Sequence, residues 1–521
     1  MALAASAGKA RAQGAPADSA KPAPVIRAVV IDRGAIFDSA EARRFWGFRL
    51  ANALHVETRP YVIRRELLFA VGEPYDSARA NETERNLRAL GIFRDVEIDT
   101  VATDSGLTVR VRTTDGWTTN LGLGMQTSGS QLLLNAFVQE VNLAGTRTIA
   151  TLGYQRDPDR SAVAVGFDTP RLIANRVAIG ASYSRRSDGN AAGASVRYPF
   201  FDLSSRRGAV LSWQRFDGRV LRFENGDARA VDSARRKLAL LRGDGAIALR
   251  ASPRGYVHLG LTAQLRRDDF GEEGGTDPIP RTITVAGGPY VAVRAPRYIR
   301  VRNFQAMGRV EDVDLGPSLR ADLAVAPSVW GYERDGIGGR VTASAGTRIP
   351  SGFLQLFGSA GGLRTSAPGD SSTVEGSVLG VVQPDVRHLF VVSATAGRLN
   401  NPPLGVEYDL GLGYAVRAFP SHAFTGDRQY FVNGEYRWLA LPRVLGLVGV
   451  GVAGFVDHGG AWFDGAERRS GTDAGVGLRI GSIRSAGSIV GRLDLAYRFR
   501  SDVEPAGWVI SLGRGFAYQR F

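Results

Sequence analysis

The chain has 521 residues and is 44% hydrophobic, with no run of about 18 apolar residues; this excludes a transmembrane helix but not a barrel, whose strands hide their apolar half in alternation. Zero Cys excludes disulfide, thiol and Cys-metal chemistry, and 65 Gly suit bends and close strand contacts better than helices. The net charge of +14 comes from Arg scattered singly through alternating segments, which favours an Arg-lined lumen and rims over nucleic-acid binding.

Residues 1–24 read as a leader remnant or a disordered Ala/Pro tail. Ala10-Arg11-Ala12 before Gln13 has the small-x-small form of a cleavage site, and 13–24 form a polar linker. Residues 25–116 have the texture of a small α+β domain. A β-branched run over 25–31 comes first. A helix follows from Thr58 as N-cap, with Pro60 in its first turn and Val62, Ile63 and Leu67 as its stripe. Asp76 or Ser77 caps a second helix over 78–90, and Gly91 ends it. Two strands close the domain, with Phe93, Val96 and Ile98 in the first and Leu107, Val109 and Val111 in the second. The order is β-α-α-β-β.

Residues 117–521 read as strand after strand. Tyr430, Val432, Tyr436 and Trp438 share one face, with Gln429, Asn433, Glu435 and Arg437 on the other. Ala474, Val476, Leu478 and Ile480 oppose Asp473 and Arg479; Leu493, Leu495 and Tyr497 oppose Arg492, Asp494 and Arg498. A face this charged is no second core. Lipid outside and water inside a closed antiparallel barrel is the economical solution, with an even number of strands, about sixteen to twenty. Segment 285–316 is the least regular. Short turns at 350–352 and 383–385 alternate with long connections near 217–235, 267–285 and 398–426.

Several motifs carry a resemblance. Val62-Ile-Arg-Arg-Glu-Leu-Leu-Phe69, Gly72-Glu-Pro-Tyr75, Glu84-Arg-Asn-Leu-Arg-Ala-Leu90 and Phe93-Arg-Asp-Val96 resemble a POTRA domain. Val416-Arg417-Ala418-Phe419, then Glu435-Tyr-Arg437, Phe455-Val-Asp457 and Gly475-Val-Gly-Leu-Arg479, resemble the C-terminal half of the BamA superfamily, with Ala418 where that family carries Gly. The resemblance implies sixteen strands. It also implies a loop folded into the lumen, with Arg417 and Phe419 at its tip and Arg417 meeting acids on the wall. Parity puts Glu435 and Asp457 on the inward face, and a guanidinium fork suits such carboxylates. The alternative is a solvated Arg417, with Glu435 paired to Arg437 or Arg479. Trp508, Ile510, Leu512 and Phe516 share a face, with Gly513 between them, and resemble a C-terminal β-signal; Phe521 is the alternative terminal aromatic.

The implied function is assembly and insertion of outer-membrane β-barrel proteins, without cofactor, metal or enzymatic chemistry. The domain would stand in the periplasm and capture nascent clients by β-augmentation along the strand of Phe93, Val96 and Ile98. Insertion would be templated at a weak seam between 117–125 and 508–516, loosened by Gly122, Gly124, Gly513 and Gly515. The other implied partners are the bilayer with its phospholipid and lipopolysaccharide; accessory lipoproteins stay open, since the chain has room for one POTRA domain. A polypeptide translocation pore and a passive channel are the alternatives. Five dispersed His offer no metal spacing, His258 and His388 are the weak candidates for a lipase pair, and Glu311, Asp312 and Asp314 read as a solvated turn.

Overall fold

The structure, a computed structural model, describes residues 23–516 apart from 104–105, 129–130, 174–175, 228, 274–281, 332–333, 366–369, 413 and 488. The leader reading over 1–22 and the alternative at Phe521 lie outside the described residues.

The N-terminal domain is a three-stranded sheet of β1 (Ile26–Gly34), β2 (Phe93–Thr103) and β3 (Gly106–Asp115) in the order β1-β3-β2. Four helices join β1 to β2: α1 (Ser39–Arg44), α2 (Trp46–Leu54), α3 (Pro60–Arg64) and α4 (Ser77–Ala89). Alternation in β3 buries Val109 and Val111 against Val62, Ile63 and Leu87 from α3 and α4, so two helices and one sheet face make the core. Asp76 caps α4 through Ala78 N at 2.8 Å, and Gly91 follows at φ +65°. Two details differ from the sequence reading. Thr58 does not cap α3. Its amide donates to Asp115 at 2.9 Å and its hydroxyl accepts from Asn142 at 2.9 Å, so it ties the domain to the barrel. The domain also has two helices more than expected, α1 and α2.

Among the described residues, twenty strands close an antiparallel barrel, from Thr119–Ser128 to Gly507–Arg514, each next to its neighbour in sequence. Twenty is the upper end of the expected range and four more than the resemblance implies. Strands Arg207–Arg222, Asp232–Ser252 and Gly255–Glu273 run 16, 21 and 19 residues, so the connections expected at 217–235 and 267–285 are largely strand. The irregular stretch 285–316 resolves into a barrel strand, Thr282–Arg294, and a hairpin outside the barrel sheet, Tyr298–Arg302 with Val310–Asp314. Its acids are not solvated: Asp312 receives Arg88 at 2.7 Å, Asp314 receives Arg294 at 2.8 Å, and Glu311 accepts from the amides of Phe304 and Gln305.

Alternation sorts the two faces of the wall. Leu121, Leu261, Val476, Trp508 and Ile510 lie open on the outside, while Arg437, Arg479, Arg492 and Asp494 are buried inside. The expectation of water against the inner face fails along the later strands. There, Phe353, Leu379, Val391 and Phe431 of the wall share a core with Phe304 of the hairpin and Val416, Phe419 and Phe424 of the long loop. Protein fills the lumen from both ends.

The N-terminal domain sits across one mouth of the barrel. Glu66 meets Arg171 at 2.7 Å, Glu82 accepts from Leu203 N at 2.7 Å, and Glu84 meets Arg300 at 2.9 Å. Burial raises the carboxyl pKa of Glu66 and Glu82 above the usual range.

Candidate functional site

The site is the tip of the loop between strands His388–Asn400 and Arg428–Val444. A short ladder, Tyr408–Leu410 with Phe424–Gly426, forms its stem. Ala415 at φ +61° turns the chain so that Val416, Arg417, Ala418 and Phe419 are all buried in the lumen. Ala418 does not adopt a positive φ, so Ala fits where the resemblance implies Gly, and it packs on Phe455, Ala496 and Val509.

Arg417 is held on every side. Its Nε and Nη2 donate to the two oxygens of Asp457, at 2.5 and 3.1 Å; Nη1 donates to Asp494 at 3.0 Å; the guanidinium lies 3.7 Å from the Phe455 ring centroid. The fork geometry and burial make this pair directional as well as charged. Glu435 is 3.6 Å from Arg417, while Arg479 holds it at 2.8 and 3.1 Å and Arg437 at 3.0 Å. Both sequence readings of Glu435 therefore hold part of the arrangement: Asp457 and Asp494 take the Arg417 fork, and Glu435 links it to Arg479 and Arg437. Arg479 also donates to Asp494 at 2.5 Å, and Arg492 approaches Asp494 at 3.4 Å. All seven charged groups named from sequence thus converge in one buried network.

Four further contributors, placed on the charged faces or in a motif from sequence, were not expected in the lock. Asn433 bridges Asp457 Oδ1 (2.7 Å) and Ala415 O (2.6 Å); Asp473 accepts from Ala418 N at 3.1 Å; Arg498 donates to Ala418 O at 3.0 Å; and Phe455 forms the floor. Inward parity on four adjacent strands was the available signal. Phe419 drops into a hole made by Gly471, where a Cβ would sit 2.2 Å from its ring.

Outside the membrane-spanning strands, the loop is pinned by His422. Its Nδ1 lies 2.8 Å from Asp409 and its Nε2 3.2 Å from Asp159, and its ring stacks 3.4 Å from Phe223. Burial depresses the imidazole, but the two carboxylates outweigh it and raise its pKa to about 9. Burial pushes the neighbouring Glu407 up to about 7, although its carboxylate accepts from Phe223 N at 3.0 Å.

Among the described residues, the first and last strands meet in two register pairs, Met125 with Leu512 and Gln126 with Ser511. The neighbouring pair of strands, Gly491–Arg498 and Gly507–Arg514, registers from Gly491–Arg514 to Arg498–Gly507. Trp508 faces outward beside this seam. Gly513 does more than loosen packing: a Cβ there would meet Arg492 Nε at 2.6 Å, so it makes room for the network. Phe516 departs from the expected outward face. Gly515 at φ +68° ends the strand and breaks parity, and Phe516 lies inside, 5.7 Å from the Phe304 ring and 4.5 Å from the Arg437 guanidinium.

In the N-terminal domain, β2 is a sheet edge, and Phe93, Val96 and Ile98 point into the core rather than outward. What this edge offers is main-chain groups. His258 is stacked 3.8 Å from both Phe200 and Tyr256, and His388 bonds the Tyr436 hydroxyl at 2.8 Å, so neither is paired with a serine.

Residues 55–114 match the POTRA family, described as a surface antigen variable number repeat. Together with the closed barrel that follows, this defines a chain with a POTRA domain ahead of an antiparallel β-barrel. Over 157 residues the chain is 28% identical to the outer membrane protein assembly factor BamA of Neisseria meningitidis serogroup B, a match covering 28% of this chain and 19% of that relative's length. Among solved structures it is similar to CdiB from Escherichia coli (TM-score 0.47, 12% identity, 97% of this chain and 93% of that one). It is also similar to BamA from Haemophilus ducreyi lacking POTRA domains 1–3 (TM-score 0.38, 12% identity, 94% and 84%).

Proposed function

We propose that the chain is an assembly and insertion factor for outer-membrane β-barrel proteins. One observation carries this reading: a seam of two register pairs stands beside a wall whose inner face is fastened by a buried ionic network. A strand pair so briefly joined can open and offer main-chain donors and acceptors to an incoming strand, while the locked wall keeps the rest of the barrel closed. The N-terminal domain stands in the periplasm in this reading. The β2 edge first holds extended client segments there through main-chain hydrogen bonds, and the outer band meets phospholipid and lipopolysaccharide. The curated relative's name, an assembly factor, supports the same role.

The test uses the absence of native Cys. Gln126→Cys with Ser511→Cys places a disulfide across the seam. Oxidised protein in proteoliposomes is expected to stop inserting an unfolded barrel client and to recover on reduction. Insertion unchanged by oxidation would overturn the reading.

A polypeptide-conducting role has one observation behind it. The strands of the other half line the lumen with part-exposed ion pairs, Arg320 with Asp244 and Arg197 with Asp168, rather than an apolar core. Steady conductance from the oxidised seam variant, with no loss of secretion of a cognate partner, would favour it.

A further inference from the structure

The sequence of α1 and α2 makes no sense in water alone. Neither helix buries a single residue. Asp38 and Glu41 form a capping box that starts α1, and Asn52 of α2 bonds the backbone of Phe37, donating to its carbonyl at 2.8 Å and accepting from its amide at 3.2 Å. Phe48 stacks on the Phe37 ring at 4.2 Å. Phe48 and Asn52 therefore face the protein. The other face carries Trp46, Leu50 and Leu54, four residues apart, with 62%, 47% and 68% of their surface open. Phe45 before them and Val56 after them are equally open. Arg43, Arg44 and Arg49 are exposed along the flank.

The pair is tied down at both ends, and the ties locate it. Glu41 pairs with Arg484, which also donates to Ile36 O at 3.3 Å; Arg484 belongs to the connection between the eighteenth and nineteenth barrel strands. Beyond α2, Arg59 N donates to Gly145 O at 3.0 Å and Arg59 Nε to Ala144 O at 3.0 Å, in the connection between the second and third strands. The twentieth and first strands lie between those connections. The helices therefore cross the POTRA-side end of the seam. Exposed Leu143, Ile489 and Leu445 on the adjoining rim continue their apolar face into the outer band of the barrel.

We infer that α1 and α2 lie in the headgroup layer of the membrane leaflet on the POTRA side. Trp46, Leu50 and Leu54 enter the acyl chains, and Arg43, Arg44 and Arg49 meet anionic phospholipid phosphates. Continuity with the lipid-facing band and the basic flank select a phospholipid surface over a protein partner. The effect is a wedge of protein under the seam. This rests on the barrel's place in a bilayer and not on the insertion role, so the two fail independently.

The experiment uses the full chain in vesicles of zwitterionic and anionic phospholipid, with a nitroxide label on Leu50→Cys, on Leu54→Cys as an independent second site, and on Thr100→Cys of β2 as a water-exposed reference. The ratio of oxygen to nickel-chelate accessibility is expected to be about tenfold higher at 50 and 54 than at 100, and to fall when anionic lipid is omitted or when Arg43, Arg44 and Arg49 are all replaced by Glu. Equal ratios at all three sites would overturn the inference. So would shielding of 50 and 54 from both quenchers, the mark of a protein partner or a second copy on this face.

Discussion

The locked wall and the seam are neighbours made of the same alternating strands, yet they are held together very differently. Strands Arg428–Val444 and Val448–Trp462 register from Arg428–Trp462 to Val444–Val448, and their inward residues Glu435 and Asp457 receive three guanidinium groups. Among the described residues, the last strand pairs with the first through Ser511 and Leu512. The difference teaches that alternation builds the wall, whereas the lumen contents decide which part of it is rigid. The loop binds four later strands to one another from inside, and the junction beside them, between the last strand and the first, lies outside that network and rests on two register pairs among the described residues.

The largest effect is expected from breaking the fork. Arg417→Ala leaves Asp457 and Asp494 buried beside an empty site and should cost about 3 to 5 kcal/mol. A lowered thermal midpoint in detergent and rapid proteolysis within 400–426, with the barrel still heat-modifiable, would register it. Arg417→Lys should recover only part of this, because an ammonium cannot reproduce the two bonds to Asp457. Phe419→Ala should cost about 3 kcal/mol through the cavity left against Gly471 and Phe424, measured in the same way.

A smaller effect separates the loop's outer pin from its inner lock. His422 has its folded pKa raised from 6.5 to about 9, so its contribution is complete below about pH 6.5 and is lost as pH climbs through about 9. Glu407, raised from 4.5 to about 7, is favoured folded in its neutral form, so its contribution also falls as pH rises, between about 4.5 and 7. The groups facing them are Asp159, Asp409 and Arg222, with Phe223 stacked on the imidazole. Protease cutting of the loop should therefore increase from pH 6 to pH 10, and His422→Gln should abolish the upper part of that increase. The smallest effect is expected in the open half. Arg197→Gln removes a part-exposed partner of Asp168 and should change stability by at most about 1 kcal/mol, a useful contrast to Arg417.

Much of the lock was legible in the chain because strand parity is rigid. Glu435, Asp457 and Arg479 each sit directly beside outward apolar residues, Tyr436, Val456, Leu478 and Ile480, and the loop motif supplied Arg417 as their partner. Phe516 was misread because parity stops where Gly515 leaves the strand. The hairpin at 298–314 was obscure because its alternation is that of a barrel strand, and only tertiary packing takes it into the lumen. Helices α1 and α2 were missed for the opposite reason. They contribute nothing to a core, so no stripe facing one marks them in the sequence.

Amide hydrogen exchange on the full chain in lipid nanodiscs addresses the contrast most directly. The account predicts rapid exchange along 121–126 and 509–512 and strong protection of 431–437, 453–458 and 475–479 in the same sample. Equal protection of both sets, or a protected seam beside an unprotected wall, would contradict it.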